Sequence, residues 1–117
     1  KQVTGFLLLF FILMQWQLPL CRLKGALASS HLVYIHKTQG VIAPLLLYFH
    51  SVDLGYAYQC LLSSIFLVLI AVGFLNSETL RLRNNMFRYG WSIVHVSCAV
   101  LTLIISLYHL YITYTYS

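Results

Sequence analysis

Two stretches decide how this chain reads: His36-Lys37-Thr38-Gln39-Gly40-Val41-Ile42-Ala43-Pro44-Leu45-Leu46-Leu47-Tyr48-Phe49-His50 and His95-Val96-Ser97-Cys98-Ala99-Val100-Leu101-Thr102-Leu103-Ile104-Ile105-Ser106-Leu107-Tyr108-His109. Each begins and ends with histidine, and thirteen residues, mostly apolar, lie between. At about 3.6 residues per turn the histidines stand close to four full turns apart, with a rise of about 21 Å between them. Both therefore share one face of their helix, one near each end of a length that crosses a bilayer.

The surroundings point to lipid as the solvent. Of the 117 residues, 61% are hydrophobic and only 8% charged, where a soluble domain carries about 25% charged residues. A core of this size could not hide that much apolar surface from water, and the length allows a single domain, residues 1–117. The net charge of +5 comes from seven Lys and Arg against two acids, scattered between apolar runs. Such charges belong to membrane loops, and no basic stripe for nucleic acid is present. Cys21, Cys60 and Cys98 form no CxxC pair, and their odd number argues against a disulfide framework. They are expected to pack as small apolar residues.

Four spans are predicted, over about residues 3–20, 30–52, 58–75 and 89–114. The first could pass for a signal peptide, but it is long and ends in Leu18-Pro19-Leu20-Cys21-Arg22 without a small-residue cleavage site. The loops over 21–29 and 76–88 carry Arg22, Lys24, Arg81, Arg83 and Arg88, with Lys37 close by, whereas the opposite side has Lys1 and Asp53. The positive-inside rule then places both loops on the cytoplasmic or equivalent side and both termini opposite. Tyr108, Tyr111, Tyr114 and Tyr116 would occupy the outer interface. The expected fold is all-α, a transmembrane four-helix bundle binding two haems.

That expectation follows from the histidines. The second and fourth spans are separated by one span and so run parallel, which levels His36 with His95 and His50 with His109. Two imidazoles facing each other in a dry bundle suit a six-coordinate haem b, with both axial positions filled. Zinc would want four ligands converging on one point, and the only acids here are Asp53 and Glu78. Ionisable residues within spans are costly and generally functional, although a histidine can also serve as a helix–helix hydrogen bonder. The cofactor expectation is therefore two haem b, an inner one on His36/His95 and an outer one on His50/His109.

Other residues carry lesser signals. His31 reads as interfacial, with a place near the inner propionates as the second reading. The loop cations set topology first, and Lys37, beside His36, is the best candidate to pair with a propionate. Gly40, one turn past His36, would let a flat porphyrin approach the backbone or serve as a helix-packing glycine. Pro44 frees the carbonyl of Gly40 and is expected to kink its helix. Ser97, Thr102 and Ser106 would act as donors near a cofactor or bond back to their own helix. Phe10, Phe11, Phe49, Phe66 and Phe74 would line haems or make ordinary lipid and core contacts.

The segment His36-Lys37-Thr38-Gln39-Gly40, followed after nine residues by His50-Ser51, resembles the first haem helix of the ferric reductase-like transmembrane domain, a di-haem superfamily that includes ferric-chelate reductases and NADPH oxidases. Asn76-Ser77, Arg81, Arg83, Phe87, Trp91 and His95, with His109 beyond, resemble the region leading into its second haem helix. Thr4-Gly5 and Leu18-Pro19-Leu20 are similar to its preceding helix. The resemblance implies two stacked b haems that carry electrons across a membrane. The second histidine pair encloses thirteen residues where many members have twelve, and the chain contains no GxGxxG for a nucleotide. The chain therefore resembles a haem subunit of a larger redox complex, with a flavoprotein or quinol donor and other membrane subunits as partners. Cytochrome b of quinol-oxidising complexes shares the paired arrangement but has much longer chains. The His-Lys-Thr-Gln-Gly element is also similar to one in the membrane anchors of succinate dehydrogenase, which implies the alternative of a quinone-binding anchor with one haem. Ser51, Asp53 and Tyr56 could serve a quinone there. A non-redox scaffold without haem is the third reading.

Overall fold

A computed structural model describes residues 2–25, 30–51, 55–75, 80 and 84–116. Among the described residues the regular structure is entirely α-helical: α1 (Gln2–Gln15), α2 (Gln17–Leu23), α3 (Ser30–His50), α4 (Tyr58–Phe74) and α5 (Asn85–Thr115). The chain divides into two compact units, Lys1–Asp53 and Leu54–Ser117. Lys1, Asp53, Glu78, Arg81 and Arg83, on which much of the orientation reading rests, lie outside the described residues, as does the side chain of Arg22.

The first predicted span is two helical pieces that meet at Trp16. Pro19 explains the break. Its ring crowds the carbonyl four residues earlier, that of Gln15, and it brings no N–H to bond it. The chain restarts at Gln17, so that Pro19 falls in the first turn of α2, where a missing N–H costs nothing. The Trp16 N–H instead donates to the Leu13 carbonyl at 3.1 Å. Pro44 behaves differently, since α3 runs through it from Ser30 to His50. The fourth predicted span begins earlier than its apolar pattern suggests. Asn84 caps α5, its side-chain oxygen accepting from the Met86 N–H at 2.9 Å, which extends the helix to 31 residues.

In the first unit α1 packs antiparallel to α3: Gly5 lies against His50, and Gln15 against His36 and Gln39. In the second unit α4 packs antiparallel to α5: Tyr58 meets His109, and Gly73 meets His95. The turn into α4 uses Gly55 at φ +81°, where a Cβ would also meet Gln59 Cβ at 2.6 Å, so only glycine fits.

Few side chains are buried: Leu8, Leu18, Ala43, Phe66 and Thr102 among the described residues. Large apolar side chains such as Phe6, Phe10, Val41, Leu45, Leu67, Ile104 and Leu107 are exposed instead. Polar side chains nonetheless meet at helix–helix contacts, as Gln15 does with Gln39 and Thr4 with His50. Gln2–Cys21 and Asn85–Thr115 are each long and apolar enough to cross a membrane, and α4 is a shorter apolar helix. With 21 residues, α3 has the length but carries Lys37, Gln39 and three histidines.

Thr102 is 1% exposed, and its Oγ1 has no hydrogen-bond partner among the described residues. It does not bond back to its helix, in contrast to Thr38, which donates to the Tyr34 carbonyl at 2.9 Å, and Thr113, which donates to the His109 carbonyl at 2.8 Å. A buried unsatisfied hydroxyl costs about 1–3 kcal/mol. Thr102→Val, nearly isosteric, is therefore expected to raise the thermal unfolding midpoint in detergent, and Thr102→Ala, which leaves a void, to gain less or to lower it. A midpoint that falls as far for Val as for Ala would mean that the hydroxyl is bonded.

Candidate functional site: four histidines on two helices

The histidine faces are built alike in the two units. On α3, Ala43 stands seven positions from both His36 and His50, and on α5, Thr102 stands seven from both His95 and His109. Seven residues are close to two turns, so each triplet follows one helix face. Both midpoints are buried, and all four histidines are half-buried. Small residues at the midpoints bring this face close to its neighbours, while the larger apolar residues around the helix face outward.

His50 is held by the first turns of α1. Its Nδ1 lies 3.3 Å from Thr4 Oγ1. A Cβ on Gly5 would meet the ring at 2.9 Å from Cε1 and 3.4 Å from Nδ1, so the imidazole lies directly on the glycine backbone. His109 is held by the first residue of α4, with Tyr58 OH 3.2 Å from its Nδ1. The Tyr58 ring also packs edge-on to Tyr108, at 5.1 Å between centroids and 83°.

The other two histidines are held differently. His95 stacks on Trp91, one turn earlier, with centroids 4.9 Å apart and planes 9° from parallel. The Trp91 indole N–H donates to the Val72 carbonyl at 2.7 Å, which ties the stack to α4. A Cβ on Gly73 would sit 3.6 Å from His95 Cε1, an ordinary contact. At the level of His36, Gln15 donates to Gln39 Oε1 at 3.1 Å and to the His36 carbonyl at 3.3 Å. The Nδ1 atoms of His36 and His95 are both buried.

The structure places the remaining expected residues as follows. Lys37 is exposed beside His36, and His31 is exposed in the first turn of α3. Gly40, one turn past His36, has nothing within 4 Å of its Cβ position. Of the five phenylalanines considered as lining, Phe66 is buried, whereas Phe10, Phe49 and Phe74 are 50% exposed or more. Ser97 is exposed and Ser106 half-buried. Cys21, Cys60 and Cys98 are free thiols, each half-buried.

No known protein family, curated protein or solved structure matches this chain. The chemistry of the site must therefore be argued from its own donors. Among the described residues no three His, Cys, Asp or Glu side chains gather to hold a metal ion by themselves. The nitrogen ligands at these positions are imidazoles, spaced in twos along α3 and α5. Imidazole is a good ligand to iron, copper and zinc, and ring nitrogens held through the opposite nitrogen are the usual form of a metal-binding histidine. The imidazoles, with hydroxyls at Nδ1 of His50 and His109, are of a type that suits a haem iron.

Sequence reasoning missed the hydroxyl partners. Thr4 and Tyr58 lie 46 and 51 residues from their histidines, and only the antiparallel register of each hairpin brings them there. The Trp91–His95 stack carried a local signal, since residues four apart on a helix are neighbours.

Proposed function

We propose that the chain carries electrons across a membrane through two b haems, the inner one on His36 and His95 and the outer one on His50 and His109, as the haem subunit of a larger redox complex. One observation carries this reading: the same histidine spacing recurs on α3 and α5, and in each case the histidine face is the buried one. A structural histidine needs one hydrogen-bond partner and has no reason to recur at a four-turn spacing on two helices. Two pairs of axial ligands, one near each side of a bilayer, do require that spacing.

In this reading the chain crosses the bilayer four times, by α1 with α2, α3, α4 and α5, with loops 21–29 and 76–88 on the cytoplasmic or equivalent side. The apolar outer surfaces meet lipid, and the imidazoles, Gln15 and Gln39 stay inside the bundle, where burying them costs least. Iron held between two histidines would supply one-electron chemistry with no open coordination position, so electrons would pass on without a bond to the acceptor. The chain's own residues set the rest. His36, His50, His95 and His109 supply neutral donors. Thr4, Tyr58 and Trp91 fix ring orientations. The apolar faces keep water away and so influence the potential. Lys37 would pair with an inner propionate. A flavoprotein or quinol would donate on the loop side, and other membrane subunits would complete the complex.

A pyridine haemochrome assay with a redox titration on the full chain, or on its complex, tests the proposal. Two low-spin b haems per chain are expected. A single haem with quinone-sensitive spectra would replace this reading by a quinone-binding anchor subunit. No haem at all would leave a membrane scaffold.

A further inference from the structure

We infer that Thr4 and Tyr58 are positioning residues that hold the rings of His50 and His109 through Nδ1 and present Nε2 as the nitrogen that faces a metal. The inference rests on the reading of these histidines as ligands and deepens it, because it assigns a donor atom.

A neutral imidazole has one N–H and one lone pair, and the group bonded at one nitrogen decides what the other can do. A metal-binding histidine generally gives its second N–H to an oxygen, which fixes the ring and makes it a more basic ligand. Thr4 Oγ1 at 3.3 Å and Tyr58 OH at 3.2 Å are both oxygens that can accept from Nδ1. With the proton on Nδ1, the lone pair lies on Nε2.

The arrangement occurs twice, with different residues on different helices. Thr4 lies in the first turn of α1, and Tyr58 is the first residue of α4. Each is on the helix that precedes the histidine helix of its own hairpin, and each meets the second histidine of the pair. Neighbouring groups brace both rings: Gly5 lets His50 lie against the α1 backbone, and Tyr108 packs edge-on to the Tyr58 ring. His95 is oriented by its stack on Trp91, and the His36 carbonyl takes a bond from Gln15. An oxygen accepting from Nδ1 would make His50 and His109 more electron-rich ligands, which would favour ferric over ferrous iron and lower the potential of a haem held there.

The test uses the full chain with histidine labelled at nitrogen-15, in bilayers, with and without haem. In the haem-free chain, Tyr58→Phe keeps the ring and removes only the hydroxyl. It should move the Nδ1 resonance of His109 and leave those of His36 and His95 in place. Thr4→Val should do the same for His50, and Thr4→Ser should restore it. If the Nε2 resonances move instead, or neither does, the assignment is wrong whether or not the chain binds haem. In the haem-loaded chain both removals should raise the midpoint of the outer haem alone. Two haems with an unmoved outer midpoint would overturn the inference and leave the electron-transfer reading standing. A chain that takes up no haem yet shows the Nδ1 shifts would overturn that reading, and with it the metal-facing role of Nε2, while leaving only the hydroxyl contacts.

Discussion

His36→Ala and His95→Ala should each lower the haem content from two per chain to one, and the haem that survives should be the same in both variants. His50→Ala and His109→Ala should remove the other one. If the proposed pairing holds, the expected effect is all-or-none, because each imidazole would then be half of a bis-histidine ligand set. Redox titration identifies the survivor: each pair of variants should retain one of the two wild-type midpoints. If His36→Ala and His95→Ala removed different haems, the helix pairing would be wrong even though both haems were present. If either variant kept both haems, that histidine would not be a ligand.

Gly5→Ala should be damaging, and Gly73→Ala should be tolerated. A Cβ at Gly5 would lie 2.9 Å from His50 Cε1, closer than non-bonded carbons allow, whereas a Cβ at Gly73 would lie 3.6 Å from His95 Cε1, at normal contact distance. To relieve the first contact the His50 ring must swing off the α1 backbone and lose its 3.3 Å approach to Thr4 Oγ1. Overpacking of this kind costs about 1–3 kcal/mol. The measurements are thermal unfolding in detergent and the optical spectrum of the outer haem. Gly5→Ala is expected to lower the unfolding midpoint and perturb that spectrum, with the inner haem unchanged. Equal behaviour of the two alanine variants would mean that the close approach of α1 to His50 does not govern the site.

Much of the architecture was legible in the residues. Long apolar runs separated by charged or turn-forming segments announce helices, because a backbone in an apolar medium must satisfy its own hydrogen bonds. The breaks near Gly25 and Gly55 follow from positive backbone φ angles of 74° and 81° that glycine adopts without strain. The errors were local. The first span, expected as one helix over about residues 3–20, is broken at Trp16, since Pro19 disturbs the turn before it. The start of α5 was placed at Tyr89 instead of Asn85, because a capping Asn84 extends a helix beyond its apolar pattern.

For the candidate site the division is equally physical. Helical periodicity is a property of one chain segment, so the shared face of His36 with His50, and of His95 with His109, could be read from spacing alone. The identity of the residues that meet each ring could not. Thr4 reaches His50 across 46 residues, and Tyr58 reaches His109 across 51, because antiparallel packing sets which turn of one helix lies beside which turn of the next. That register is decided by the fit of side-chain surfaces, with glycine where a ring must lie flat and a small residue where two helices press together, and it leaves no periodic trace in either segment. A helical chain with two matched histidine faces follows from residue order and composition alone. The tertiary structure decided which oxygen and which aromatic ring holds each imidazole, since these contacts exist only between segments far apart along the chain.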